Sequence, residues 1–312
     1  MMKRVRDLLL SYISDAQHLL HKQRTFKVSE VPVLFREPSV LTGYREMNKP
    51  LAYYLLSTFQ LHNETLNIWT HLVAFILVII KLYSAYYALD EYEEYQPVVL
   101  GFGICCMFYT SLSTLAHMLQ TKSDFMHYTV YHLDFAVIMS WFGCFCSCFA
   151  KLKYRRPYPF TRKLWNICSF GTQIVCVFSL VILRYVDCYR DSECTLASLN
   201  HHTRVVSLVL LSMFFFCSFI PEKFYPGKFD ILGMSHQLFH FTIAVATLEQ
   251  FDTAIEDIVG HTHNLVSHKP KASYIYASII SYAVLATITV LMLTPRVYKR
   301  IEADRVFEEK RK

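Results

Sequence analysis

The chain has 312 residues, of which 54% are hydrophobic and 18% charged, with a mean hydropathy of +0.27 and a formal net charge of +6. Soluble domains usually carry about a quarter charged residues, so this composition excludes an ordinary water-soluble globule and makes a bilayer the solvent for much of the chain. The positive charge implies no nucleic-acid partner, because Lys and Arg gather between apolar runs and at the two ends, where the positive-inside rule places them.

Residues 1–50 are read as a mixed-charge cytoplasmic N-terminal region. Its opening apolar stretch, Leu8–Ile13, is interrupted by Ser11 and followed by Asp15, and is too short for a cleaved signal peptide. Pro50 then opens an aromatic stretch, Leu51–Leu61, which is expected to form an interfacial helix leading into the first span. Seven hydrophobic segments follow, near 67–89, 97–119, 130–150, 164–186, 205–220, 232–250 and 273–293. Each approaches the roughly 20 apolar residues that one crossing requires. The sequence therefore divides into the N-terminal region, an all-α polytopic membrane domain at 51–294 and a basic cytoplasmic tail at 295–312. The tail suits an anionic cytoplasmic leaflet.

Most of the ten cysteines lie in the apolar segments, where a thiol acts as a small hydrophobe. Cys188 and Cys194 instead flank a polar stretch, and a disulfide between them requires that loop to face the exterior.

Charge between the segments tests the span count. The N-terminal region and the tail are both basic, whereas Asp90-Glu91-Tyr92-Glu93-Glu94 suits the outside. Seven crossings would export the tail, together with the loop Lys151–Lys163 and its six basic residues. Either an extra crossing at 130–150, or a re-entrant segment there that crosses no times, returns both basic regions to the cytoplasm.

Three polar elements occur inside apolar segments: Ser113-x3-His117 in the second, Asp134 in the third and His236-x3-His240 in the sixth. Ionisable groups at membrane depth are costly and read first as functional. Residues four apart share a helix face, so His236 and His240 are placed to hold one ion. By chance alone, 14 histidines would give about 0.6 such pairs in a chain of this length, so spacing is weak evidence. Interhelical hydrogen bonding is the plainer alternative. His117 is the candidate third ligand, leaving a fourth position open as in catalytic zinc sites. Asp134 is then the candidate acid–base group of a buried amide or ester hydrolysis. A helix cap for Asp134 and a bond to its own helix carbonyl for Ser113 explain those two equally well. His62, His71, His127 and His132 fall near segment ends and read as hydrated. Asn63-Glu64-Thr65 matches a glycosylation acceptor but falls on the cytoplasmic side.

Several stretches together resemble the progestin and adipoQ receptor family: His62-Asn63-Glu64-Thr65-Leu66-Asn67-Ile68-Trp69-Thr70-His71, Ser113-x3-His117, Leu133-Asp134-Phe135, Pro221–Asp230 and Ser235-His236-Gln237-Leu238-Phe239-His240. Leu34-Phe35-Arg36-Glu37-Pro38, Gly43-Tyr44-Arg45 and the segment after the histidine pair resemble its membrane progestin receptor branch. The resemblance implies a plasma-membrane receptor with a cytoplasmic N-terminus, a steroid ligand within the lipid bilayer, signalling through an inhibitory G protein and zinc on His117, His236 and His240. Similarity of the family to alkaline ceramidases makes zinc-dependent lipid-amide hydrolysis the enzymatic alternative, with Asp134 and Ser113 beside the metal.

The branch resembles an eight-span bundle, whereas here Asp134 is followed after one apolar stretch by the basic loop that belongs after a fourth span. Parts of the third and fourth spans are expected to be missing, as in a shortened variant with impaired ligand binding or trafficking. A single crossing at 130–150 would leave His117 and Asp134 roughly 30 Å from His236 and His240. The metal site therefore requires that this segment not cross once.

Overall fold

The computed structural model describes residues 24–138, 141–154, 159–190, 199–260 and 270–309. Among them the regular structure is helical. Nine α-helices follow in order: α1 Leu51–Ser57, α2 Thr65–Ala88, α3 Gln96–Leu119, α4 Asp124–Ile138, α5 Trp141–Lys153, α6 Phe160–Arg190, α7 Asn200–Ser218, α8 Ser235–Gly260 and α9 Ala272–Glu309. Among the described residues, four helices are long and apolar enough to cross a membrane: Thr65–Ala88, Asp90–Leu119, Asn200–Ser218 and Ala272–Phe307. Their outward faces are apolar, with Ile76, Ile80, Phe108, Leu211, Phe214, Ile280, Val284 and Leu291 exposed. In water this would be a very large apolar surface; in lipid it is the solvated face. The chain is a multi-pass, all-α membrane protein.

Helix starts and stops are local. The Thr65 hydroxyl accepts from the His62 N–H and donates to the Gln60 carbonyl, fixing the entry to α2. The acidic turn Asp90–Tyr95 breaks the chain between α2 and α3, and Pro97 stands in the first turn of α3, where its missing N–H is not needed. Gly103 lets α2 and α3 approach: a Cβ there would lie 2.8 Å from the Leu82 side chain.

The irregular third segment is a helical hairpin. The Tyr128 hydroxyl, early in α4, donates to Asp304 near the end of α9 at 3.2 Å. Later in α4, the Ala136 carbonyl accepts from Tyr282, more than twenty residues back along α9, at 2.6 Å. By the end of α5 the chain has returned: the Lys153 carbonyl accepts from Arg300 at 3.4 Å, and the Lys151 ammonium lies 3.6 Å from the Tyr131 ring centroid. A 15-residue helix is about 22 Å long, short of a hydrocarbon core of about 30 Å. The described start of α4 and end of α5 thus lie at the same end of the bundle. Tyr128, Ala136, Cys144, Cys148 and Leu152 of the hairpin form one apolar cluster with Ala286, Leu293 and Val297 of α9.

That end, here the near end, also carries the N-terminal region and the tail. Arg45 reaches across it, donating to the carbonyls of His117 at 2.6 Å and Met118 at 2.8 Å. Tyr54 donates to the Thr121 carbonyl at 3.3 Å, and the Asn48 N–H bonds the Lys122 carbonyl. At the far end, Arg184 of α6 and His202 of α7 both meet Asp257 of α8. Cys188 there is disulfide-bonded; Cys194, the other cysteine of that stretch, lies outside the described residues.

Candidate metal centre

The site is assembled where the near ends of α2, α3, α4 and α8 meet. His117 lies in the last turn of α3 and His236 and His240 in the first turns of α8, so the two antiparallel helices present imidazoles at one depth. The segment before α8 is held firmly. Glu222 accepts from both the Ser235 N–H and the Ser235 hydroxyl, completing the start of the helix. Asp230 accepts the backbone N–H groups of Leu41 and Thr42, at 3.1 and 2.7 Å, tying that segment to the N-terminal region.

One nitrogen from each of His117, His236 and His240 falls within 4.8 Å of the other two. Nε2 of His117 and Nε2 of His236 are 3.3 Å apart. Two nitrogens on one tetrahedral ion, with the zinc–imidazole distance of about 2.0–2.1 Å, stand about 3.3–3.4 Å apart. The outer nitrogens are already engaged: Nδ1 of His117 is 2.8 Å from Glu64 Oε2, and Nδ1 of His240 is 3.2 Å from the Asn67 carbonyl. Such contacts fix the tautomer and aim the other nitrogen inward, as carboxylates and carbonyls do behind metal-bound histidines. The residues present therefore fit a divalent ion with three neutral imidazole donors and one open position. The condition set by the sequence is met, because the hairpin keeps all three histidines at one end.

Asp134 is buried in the body of α4, and Ser113, one turn before His117, hydrogen-bonds its carboxyl. The cap reading for Asp134 fails, since the α4 start is capped by the Ser123 hydroxyl, which accepts the Met126 N–H. Asp134 Oδ1 is buried with no hydrogen-bond partner.

Several residues that matter here do not stand out in the sequence. Glu64 is a buried carboxylate shared by His117 and the Asn67 side-chain NH2, both at 2.8 Å, rather than a member of a loop triplet. The reading of His62, His71, His127 and His132 as hydrated is overturned: all four rings are buried. Phe35 of the N-terminal region meets His127 edge-on, His62 is held by the Ser57 carbonyl and the Glu64 N–H, and His71 is closed in by Tyr109 of α3 and His240 of α8. The available signal was spacing, since Glu64, Asn67 and His71 recur at three and four residues along one face of α2.

The haemolysin-III-related family pattern matches this chain over residues 59–194 and 136–251. Membrane progestin receptor beta of Mus musculus is 33% identical, covering 84% of this chain and 84% of the relative. Membrane progestin receptor beta of Sus scrofa is 31% identical (83% and 82%), and membrane progestin receptor alpha of Cynoscion nebulosus is 30% identical (82% and 84%). The chain belongs to the haemolysin-III-related, progestin and adipoQ receptor family. Within it, the chain is similar to the membrane progestin receptors. The mouse alignment runs over 299 positions but takes in 84% of 312 residues, about 262, so about 37 positions face gaps in this chain, enough for one span and its connectors.

Proposed function

We propose that this chain is a membrane progestin receptor of the plasma membrane, which binds a steroid in a bundle whose three histidines hold zinc and signals through an inhibitory G protein. The observation that carries the reading is the buried cage itself. Three imidazoles with ligand-like spacing, two of them aimed by Glu64 and Asn67, occur in a chain similar to membrane progestin receptors along most of its length. A cytoplasmic N-terminus is supported by the near end, which gathers Lys151, Lys153, Arg162, Lys163 and the tail. A disulfide at Cys188 supports an oxidising far side.

The second reading, a ceramidase-like lipid-amide hydrolase, is favoured by one feature: the partnerless oxygen of Asp134 beside Ser113. Zinc, when bound, supplies a Lewis acid that polarises a carbonyl; Asp134 would hold and move the proton, with Ser113 orienting its carboxyl. One experiment separates the two. Membranes carrying the parent protein and His236→Ala are assayed for saturable progesterone binding and for ceramide hydrolysis. Binding without hydrolysis in the parent supports the receptor. Hydrolysis that His236→Ala abolishes while binding persists supports the enzyme.

The bundle is proposed to be the eight-span design shortened, with the near halves of the third and fourth spans joined as the α4–α5 hairpin. The gaps facing this chain in the comparison with the mouse relative total about 37 positions, the size of one span and its connectors. The loss falls on the far half of the bundle, so the cage survives and any impairment is expected in trafficking or ligand capture. Sequencing of full-length transcripts tests it: transcripts that encode the missing stretch are expected beside this one, and steroid binding at full strength with no longer transcript would contradict it.

A further inference from the structure

His71 lies one turn beyond Asn67 on α2, its ring buried and stacked on His240 with centroids 3.9 Å apart. Tyr109 meets it edge-on at 5.7 Å, and the Tyr109–Thr247 hydrogen bond, 2.8 Å long, ties α3 to α8 beside it. Both of its ring nitrogens lack a hydrogen-bond partner. The rings nearest it differ. His62 bonds the Ser57 carbonyl through one nitrogen and the Glu64 N–H through the other, and His117 and His240 are engaged at both sides of the cage. His71 is also absent from the three-nitrogen group that fits a metal. Asn67 Oδ1 is likewise buried and unpaired, its NH2 being taken by Glu64.

Buried polar groups are nearly always paired, and exceptions mark places where a ligand or water belongs. Residues four apart on a helix are neighbours, so the unmet needs fall together: a ring N–H that seeks an acceptor and an amide oxygen that seeks a donor. A hydroxyl meets these two, accepting from the His71 N–H and donating to Asn67, and leaves the second His71 nitrogen as the one unpaired group. A ketone only accepts, and leaves Asn67 Oδ1 unpaired. We propose that His71 and Asn67 form a hydroxyl-binding subsite beside the metal cage, which makes this chain select a steroid hydroxylated at one position over the congener that lacks that hydroxyl. The proposal rests on the receptor reading and specifies its ligand.

The test uses membranes containing the full chain, progesterone, and a set of progesterones each bearing one added hydroxyl at a different carbon. His71→Phe keeps the stack on His240 and removes both nitrogens; His71→Gln restores a donor and an acceptor. One hydroxylated steroid is expected to bind the parent about tenfold more tightly than progesterone, the scale of one well-made hydrogen bond. His71→Phe should erase that preference while keeping progesterone affinity and one zinc per chain, and His71→Gln should recover part of it. Equal affinities in the parent, as when the subsite holds only water, overturn the proposal, as does a preference unchanged by His71→Phe. Loss of zinc in His71→Phe assigns the ring to support of His240 and also overturns it. Saturable binding of none of the steroids overturns the receptor reading itself, a result distinct from the others.

Discussion

Glu64 illustrates how burial changes what a residue does. Read along the chain, it is the middle of a glycosylation triplet. Folded, it is buried and its carboxylate holds Nδ1 of His117 at 2.8 Å, with Arg45 of the N-terminal region donating to the carbonyl of the same histidine. Replacing it with Gln preserves the shape and removes the charge that makes the imidazole a stronger donor. Glu64→Gln is expected to weaken zinc binding about 10- to 100-fold, measured by competition against a chelator of known affinity; unchanged affinity would mean that Glu64 does not act on the metal. The candidate ligands His117, His236 and His240 were legible through the family resemblance, since their helical spacing alone is weak evidence for a metal. His71, Glu64 and Asn67 were not. Periodicity shows which face they share but not which neighbouring elements bury it.

At the scale of elements, the long helices follow the hydrophobic segments, while the hairpin was legible only as a contradiction. The 130–150 segment reads from sequence as apolar enough for a crossing, and nothing local in it marks the reversal. The reversal is enforced by contacts with α9, of which the Tyr282 hydroxyl on the Ala136 carbonyl is one. Tyr282→Phe should lower stability by about 1 kcal/mol, read as a reduced melting temperature in detergent, whereas Tyr189→Phe, at a fully exposed ring, should not. The entry to α2 carries a pH signature. Nε2 of His62 donates to the Ser57 carbonyl and Nδ1 accepts the Glu64 N–H, an arrangement only the neutral ring supports. Burial, with Arg45 nearby, pushes its pKa down from the usual histidine value to about 3. The unfolded chain, with a histidine pKa of about 6.5, takes up that proton first, so the contribution is complete above about pH 6.5 and is lost as pH falls toward 3. The melting temperature of the parent should therefore drop more steeply between pH 7 and 5 than that of His62→Gln; parallel profiles would refute this role.

Across the whole molecule, parity and chemistry are one question. Among the described residues, six long helices and a hairpin put 24–50, 151–154, 159–163 and 295–309 at one end, and only that arrangement brings α3 and α8 histidines to the same depth. Single cysteines introduced at Lys153 and Arg305, in a background lacking the native free thiols, should react with an impermeant maleimide only when the cytoplasmic face is opened, and one at Glu91 from outside on intact cells. Labelling of Lys153→Cys on intact cells would mean that the segment crosses. The most direct test of the zinc cage is X-ray absorption at the zinc edge on the purified full chain. The expected signal is one zinc per chain with three imidazole nitrogens at about 2.0–2.1 Å and one oxygen, lost in His236→Ala. Absence of zinc, or a shell containing sulfur, would contradict it.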